Sequence, residues 1–162
     1  MQTTRFTRLS GMLLAVMLTL LVGSVRADDR TLEGTWDVTL RFPESSCNNT
    51  CNCPTGQPNN PLPSLNTFLK HGGMLWSGSA LFVGPGQGEW ERLGRNHFVA
   101  RFKFFTFDSS TFRRTGSEEL TKHIRLTGPD KFEATTTYDL FDTEGTMTAQ
   151  GCIINETAKR FE

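Results

Sequence analysis

The sequence predicts an all-β protein, an eight-stranded antiparallel up-and-down barrel, and three observations carry that expectation. Apolar and polar residues alternate with period two along a series of short runs, the pattern of strands with one buried face. Small clusters of Gly, Asn, Asp and Pro separate most of these runs, so consecutive strands read as joined by hairpins. Beyond residue 28 no stretch spaces its apolar side chains as a helix would. Eight such strands close into a barrel whose interior is filled by side chains or by one small ligand. A two-sheet sandwich is the competing architecture, but it normally needs crossover links, and these hairpins are sequential.

In chain order, Arg5 and Arg8 precede an apolar stretch at 12–22, and Val25 and Ala27 then stand where a signal peptidase reads small residues. This predicts a secretory signal peptide over 1–27 and a single barrel domain over 28–162. The apolar stretch is about half the ~20 residues that a membrane span requires, so no span is expected once the signal is removed. The whole chain carries 17 basic and 17 acidic side chains, and losing Arg5, Arg8 and Arg26 with the signal leaves a small acidic excess. Nucleic acid is therefore not an expected partner.

Residues 34–42 read as the first strand, with Trp36, Val38, Leu40 and Phe42 on one face and Thr35, Asp37, Thr39 and Arg41 on the other. Residues 43–63 are rich in Asn, Pro, Ser and Cys and read as a surface loop. The four cysteines Cys47, Cys51, Cys53 and Cys152 all follow the signal, and an even count in an exported chain predicts disulfides. Of three possible pairings, the expected one joins Cys53 to Cys152, tying the segment after the first strand to the last strand, and Cys47 to Cys51. Zinc held by Cys47, Cys51, Cys53 and a histidine is the alternative, but the spacing lacks the paired two-residue gaps of common zinc sites. No metal or cofactor is expected. Asn48-Asn49-Thr50 and Asn155-Glu156-Thr157 match the glycosylation sequon.

Runs at 64–70 and 74–83 follow, joined at His71-Gly72-Gly73, and Gly84-Pro85-Gly86-Gln87-Gly88 reads as a flexible connection or bulge. A phosphate loop is excluded there, since the lysine and hydroxyl residue that would complete it are missing. Strands are then expected at 89–93, carrying Trp90, and at 97–107, where Phe98, Ala100, Phe102 and Phe104 share one face. Val99, Phe105 and Phe107 lie on the opposite face of that strand, and such outward aromatic surface suggests a covered patch or a homo-oligomeric contact. The last strands are expected at 118–127, with Lys122 among Leu120, Ile124 and Leu126, at 132–141, and at 146–154.

His71, His97 and His123 fall at turns or outward positions and read as surface residues. No serine sits in a Gly-x-Ser-x-Gly elbow, and the acid pairs Glu118-Glu119 and Glu89 with Glu91 read as solvated, so no catalytic residue is assigned. If the even-numbered face points inward, the interior presents Trp76, Trp90, Phe98, Phe102, Phe104 and Tyr138, with Lys122, Thr136 and Arg92 as its few polar groups. An apolar cup with sparse polar anchors is what a small-molecule site needs. A buried Lys122 must either reach water or meet an anion.

Gly34-Thr35-Trp36 resembles the Gly-x-Trp signature of lipocalins and their calycin relatives. That resemblance implies an arginine from near the chain end lying against the tryptophan, and Arg160 is placed for it. Over most of the exported part the chain is also similar to a group of secreted bacterial proteins of unassigned function. Gly34-Thr35-Trp36, Cys53 with Thr55-Gly56, Gly86 and Gly88 before Trp90, Gly151-Cys152 and Arg160-Phe161-Glu162 carry that similarity. In that group one cysteine follows the first strand and one lies in the last, matching Cys53 and Cys152. The expected function is an exported, lipocalin-like, non-enzymatic protein, secreted or periplasmic, holding a small hydrophobic or amphipathic molecule. A barrel enzyme resembling the cyclases and dirigent proteins, with Tyr138 as its candidate, is one alternative. A structural or interaction protein of the cell envelope is the other.

Overall fold

The computed structural model describes residues 31–47, 51, 57–80 and 82–162; the expected signal peptide, Cys53 and the first sequon lie outside them. Eight strands follow in order: β1 (Gly34–Arg41), β2 (Leu62–Phe68), β3 (Gly73–Gly78), β4 (Gly86–Arg92), β5 (His97–Phe107), β6 (Arg114–Gly128), β7 (Lys131–Phe141) and β8 (Met147–Arg160). Each pairs antiparallel with its successor, and β1 pairs with β8, closing the barrel. Closure without a crossover is the up-and-down architecture expected, and it leaves no free sheet edge.

Several boundaries differ from the alternation, each for a packing reason. β2 starts at Leu62 because Pro63 sits near the strand's beginning, where a missing N–H is tolerated, and pairs with Thr39. β3 stops at Gly78, and the chain crosses to the end of β5, where Val83 bridges Thr106 and the Phe107 N–H donates to the Phe82 carbonyl at 2.7 Å. Gly86 and Gly88 belong to β4 and not to a loop. A Cβ on Gly88 would lie 1.9 Å from the Arg101 carbonyl oxygen, so glycine here permits backbone approach between β4 and β5. β8 runs on to Arg160 because its last residues pair with β1, Trp36 opposite Arg160. Gly151, at φ +70°, bulges β8 opposite Asp139, whose carboxylate accepts the Gly151 N–H at 2.8 Å.

One end of the barrel is sealed. Trp36 is fully buried, its indole N–H donating to the Leu32 carbonyl at 2.8 Å and its ring 5.0 Å from Phe132. The Arg160 guanidinium lies 4.3 Å over that ring and donates to the carbonyls of Glu33, Thr31 and Pro129 and to the Asp130 carboxylate. The seal thus draws on residues 31–36, the end of β8 and the β6–β7 turn.

At the other end, the segment after β1 folds back as a 3-10 turn, Glu44–Ser46, with the Ser46 hydroxyl oxygen accepting the Ile153 N–H at 2.8 Å. This places Cys51 beside β8, and the disulfide is Cys51–Cys152 with Cα atoms 5.6 Å apart. Cys47 is disulfide-bonded too, so the expected Cys53–Cys152 and Cys47–Cys51 pairs are both overturned. The physical reason is anchorage, since the Tyr138 hydroxyl donates to the Cys51 carbonyl at 2.8 Å and Tyr138 is the ladder partner of Cys152. A non-reducing peptide map is expected to yield a Cys51–Cys152 cross-linked peptide. Replacing both residues by serine should cost about 2–5 kcal/mol in urea unfolding, the range for losing a native bridge.

Candidate functional site

Period-two geometry sends alternate residues of every strand into the lumen, and three of those inward residues are polar groups that meet one another. Lys122 on β6, Thr136 on β7 and Glu156 on β8 are all buried. The Lys122 ammonium donates to Glu156 Oε2 at 2.6 Å, and the Thr136 hydroxyl donates to Glu156 Oε1 at 2.5 Å. Lys122 also lies 5.3 Å from the Phe102 ring centroid, a cation–π contact. Burial lowers the Lys122 pKa while the Glu156 carboxylate pulls it the other way. The anion that a buried Lys122 requires is therefore supplied by the chain itself. Glu156 escapes a sequence reading that ends the last strand near residue 154, although Ile154, Glu156 and Ala158 continue the inward alternation.

Between this network and the end of the barrel where Cys51 packs lies an aromatic neck. Trp76 stacks on Phe104 with centroids 4.6 Å apart and on Phe102 at 6.2 Å, and these rings with Leu40, Leu62 and Ile154 leave a cavity of only about 30 Å³. That holds about two waters. The lumen is a filled core, well below the roughly 300–1,000 Å³ of small-molecule sites.

Outside the neck the mouth widens. A vestibule of about 500 Å³ lies between the β5–β6 and β7–β8 turns and is walled by Phe82, Phe107, Leu140 and Phe141. Glu118, at the start of the inward row of β6, lines both the vestibule and the neck. Its carboxyl has no hydrogen bond or ion pair among the described residues, and burial pushes its pKa up to about 7. Two further acids stand on the rim with their Oδ1 atoms engaged in their own turns. Asp108 accepts from the hydroxyls and N–H groups of Ser110 and Thr111, which hold its pKa down at about 2. Asp142 accepts from the Glu144 and Thr146 N–H groups.

The structure brings Trp76, Phe102 and Phe104 together at the neck and places Lys122 and Thr136 beneath them. Tyr138 lies beside the mouth, but its hydroxyl is committed to the Cys51 carbonyl. Burial first and the Glu118 charge second push its phenol pKa up, so Tyr138 is a poor proton donor. Trp90 is at the sealed end, its indole N–H bonded to the Leu69 carbonyl at 2.9 Å and its ring edge-on to Phe68. Arg92 is exposed over Phe98, and His71, His97 and His123 are exposed. Glu118, read from sequence as one of a solvated pair, faces inward; extending the row Leu120, Lys122, Ile124 back by two residues finds it. A groove of about 520 Å³ on the outer face of β4–β7 presents charges already paired nearby, as Lys103 with Glu119 at 2.9 Å.

No family model matches the chain. No curated protein matches it either. Among solved structures it is similar to that of EF1p2_mFAP2b bound to DFHBI, at 15% identity and a TM-score of 0.55, over 80% of this chain and 94% of that one. At that identity the likeness is one of fold.

Two consequences are measurable. Lys122→Met alone leaves Glu156 buried without its cation and should cost about 3–5 kcal/mol in urea unfolding. The Lys122→Met/Glu156→Leu double variant should recover much of that loss. For Glu118 the folded pKa of about 7 lies above the group's ordinary value of 4.5, so the folded state holds a proton that the unfolded chain releases between those values. Stability from this group is full below pH 4.5 and is lost as pH rises to about 7. The stability of Glu118→Gln relative to wild type should therefore rise by roughly 2–3 kcal/mol between pH 4.5 and pH 8 in urea unfolding.

Proposed function

We propose that this protein binds a small apolar or amphipathic molecule at the mouth of the barrel, in the manner of a lipocalin-like carrier. The observation that carries the reading is the vestibule, whose volume of about 500 Å³ falls within the range of ligand sites. It combines aromatic walls with one half-buried, unmatched carboxyl and a rim of hydroxyls and aspartates, apolar surface beside polar groups that fix a ligand's orientation. The ligand sits above the neck, because the lumen below is filled by Trp76, Phe102 and Phe104. The solved structure of similar fold is bound to DFHBI, which supports the reading by analogy of fold alone. The leader-like residues 1–27 and the cross-link between Cys51 and Cys152 support export to an oxidising compartment.

A second reading has one observation in its favour. Burial pushes the Glu118 pKa up to about 7, toward the range in which a general acid or base works. Proton transfer by Glu118 replaces Tyr138 as the candidate chemistry for a barrel enzyme.

Native mass spectrometry of the protein purified from its own host is the test. A retained small molecule is expected, displaced when Phe82→Arg puts a bulky charge into the vestibule. Protein that is empty in every preparation, and that binds no apolar probe in titration, would falsify the carrier reading.

A further inference from the structure

The chemistry of the mouth also narrows its occupant, a step that depends on the binding reading above. Among the described residues lining the vestibule and the neck there is no lysine, arginine or histidine. The nearest lumen cation, Lys122, is already bonded to Glu156. Every ionisable side chain on the walls is an acid: Glu118 and Glu156 on the strands, Asp108 and Asp142 on the rim. Of these, Glu156 is matched by Lys122 and Thr136, and the two aspartates hold their own turns through Oδ1. Glu118 alone presents a carboxyl to the cleft with no partner among the described residues, next to the aromatic walls of Phe82 and Phe107.

An anionic head group brought against Glu118 meets a like charge, although the Lys103 ammonium lies 5.8 Å from the Phe141 ring at the edge of the cleft, and a neutral one leaves the half-buried carboxylate unmatched, which is costly. A primary ammonium satisfies it, since N⁺–H···O⁻ bonds are short and about twice as strong as neutral ones. We propose that the barrel mouth selects amphipathic amines, with the ammonium on the Glu118 carboxylate and the apolar chain against Phe82, Phe107 and Phe141.

Isothermal titration of the full chain at pH 8 with octylamine, octanol and octanoate tests this. Octylamine is expected to bind about tenfold or more tighter than octanol, the gap that a charge-assisted bond supplies, with octanoate the weakest of the three. In Glu118→Gln, its fold checked by circular dichroism, octylamine should lose that advantage. Equal affinity of wild type for octylamine and octanol overturns the amine assignment and leaves the mouth site standing, as does a folded Glu118→Gln that keeps the preference. If none of the three probes binds, both the assignment and the mouth site fall. Should Glu118→Gln not fold, the wild-type ratio of octylamine to octanol decides by itself.

Discussion

The pairing of β1 with β8 is the constraint from which the rest of the molecule follows. It sets Trp36 opposite Arg160 in the ladder, so the end of β8 reaches the tryptophan, and the guanidinium covers the indole while bonding three carbonyls, two before β1 and one in the β6–β7 turn. Closure also satisfies the backbone groups that edge strands would expose. Once the ladder is closed, alternation decides the direction of each side chain between bulges such as that at Gly151, and residues with no sequence proximity share one lumen.

Parity is indifferent to chemistry, and this brings charge into the core. Lys122 and Glu156 occupy inward positions on β6 and β8, with Thr136 on the strand between them. Burial of either charge alone costs several kcal/mol, and the pair is tolerated because both Glu156 oxygens are bonded. Around this network the aromatic rings fill the lumen, so the interior serves stability and the space for a ligand moves out to the mouth.

The mouth is built differently from the sealed end. There a disulfide, a tyrosine hydroxyl and a serine hydroxyl hold the segment after β1 against β7 and β8. The Phe82–Gly84 stretch is held to the end of β5 by backbone bonds. These attachments shape a cleft above the neck, and Glu118, two positions from the packed core row, becomes the polar group at its base. A carboxyl in that position stays largely protonated below neutrality because water cannot solvate its charge fully.

By itself the sequence determined the barrel and its inward face, since period-two alternation broken by turn residues admits few other solutions, and Trp36, Phe98, Phe102, Phe104, Lys122 and Thr136 all fall on that face. It determined that the cysteines would be oxidised, but not with which partner. The choice of Cys51 for Cys152 comes from a tyrosine 87 residues away in the chain holding the Cys51 carbonyl. The tertiary structure also decided that Gly86 and Gly88 lie in a strand, because closeness to the Arg101 carbonyl is a property of two strands and not of one. The pairing of Lys122 with Glu156, 34 residues apart, and the exposure of Glu118 to a cleft were decided by closure as well. Local alternation fixes which way a side chain points, and only the closed ladder fixes what it meets there.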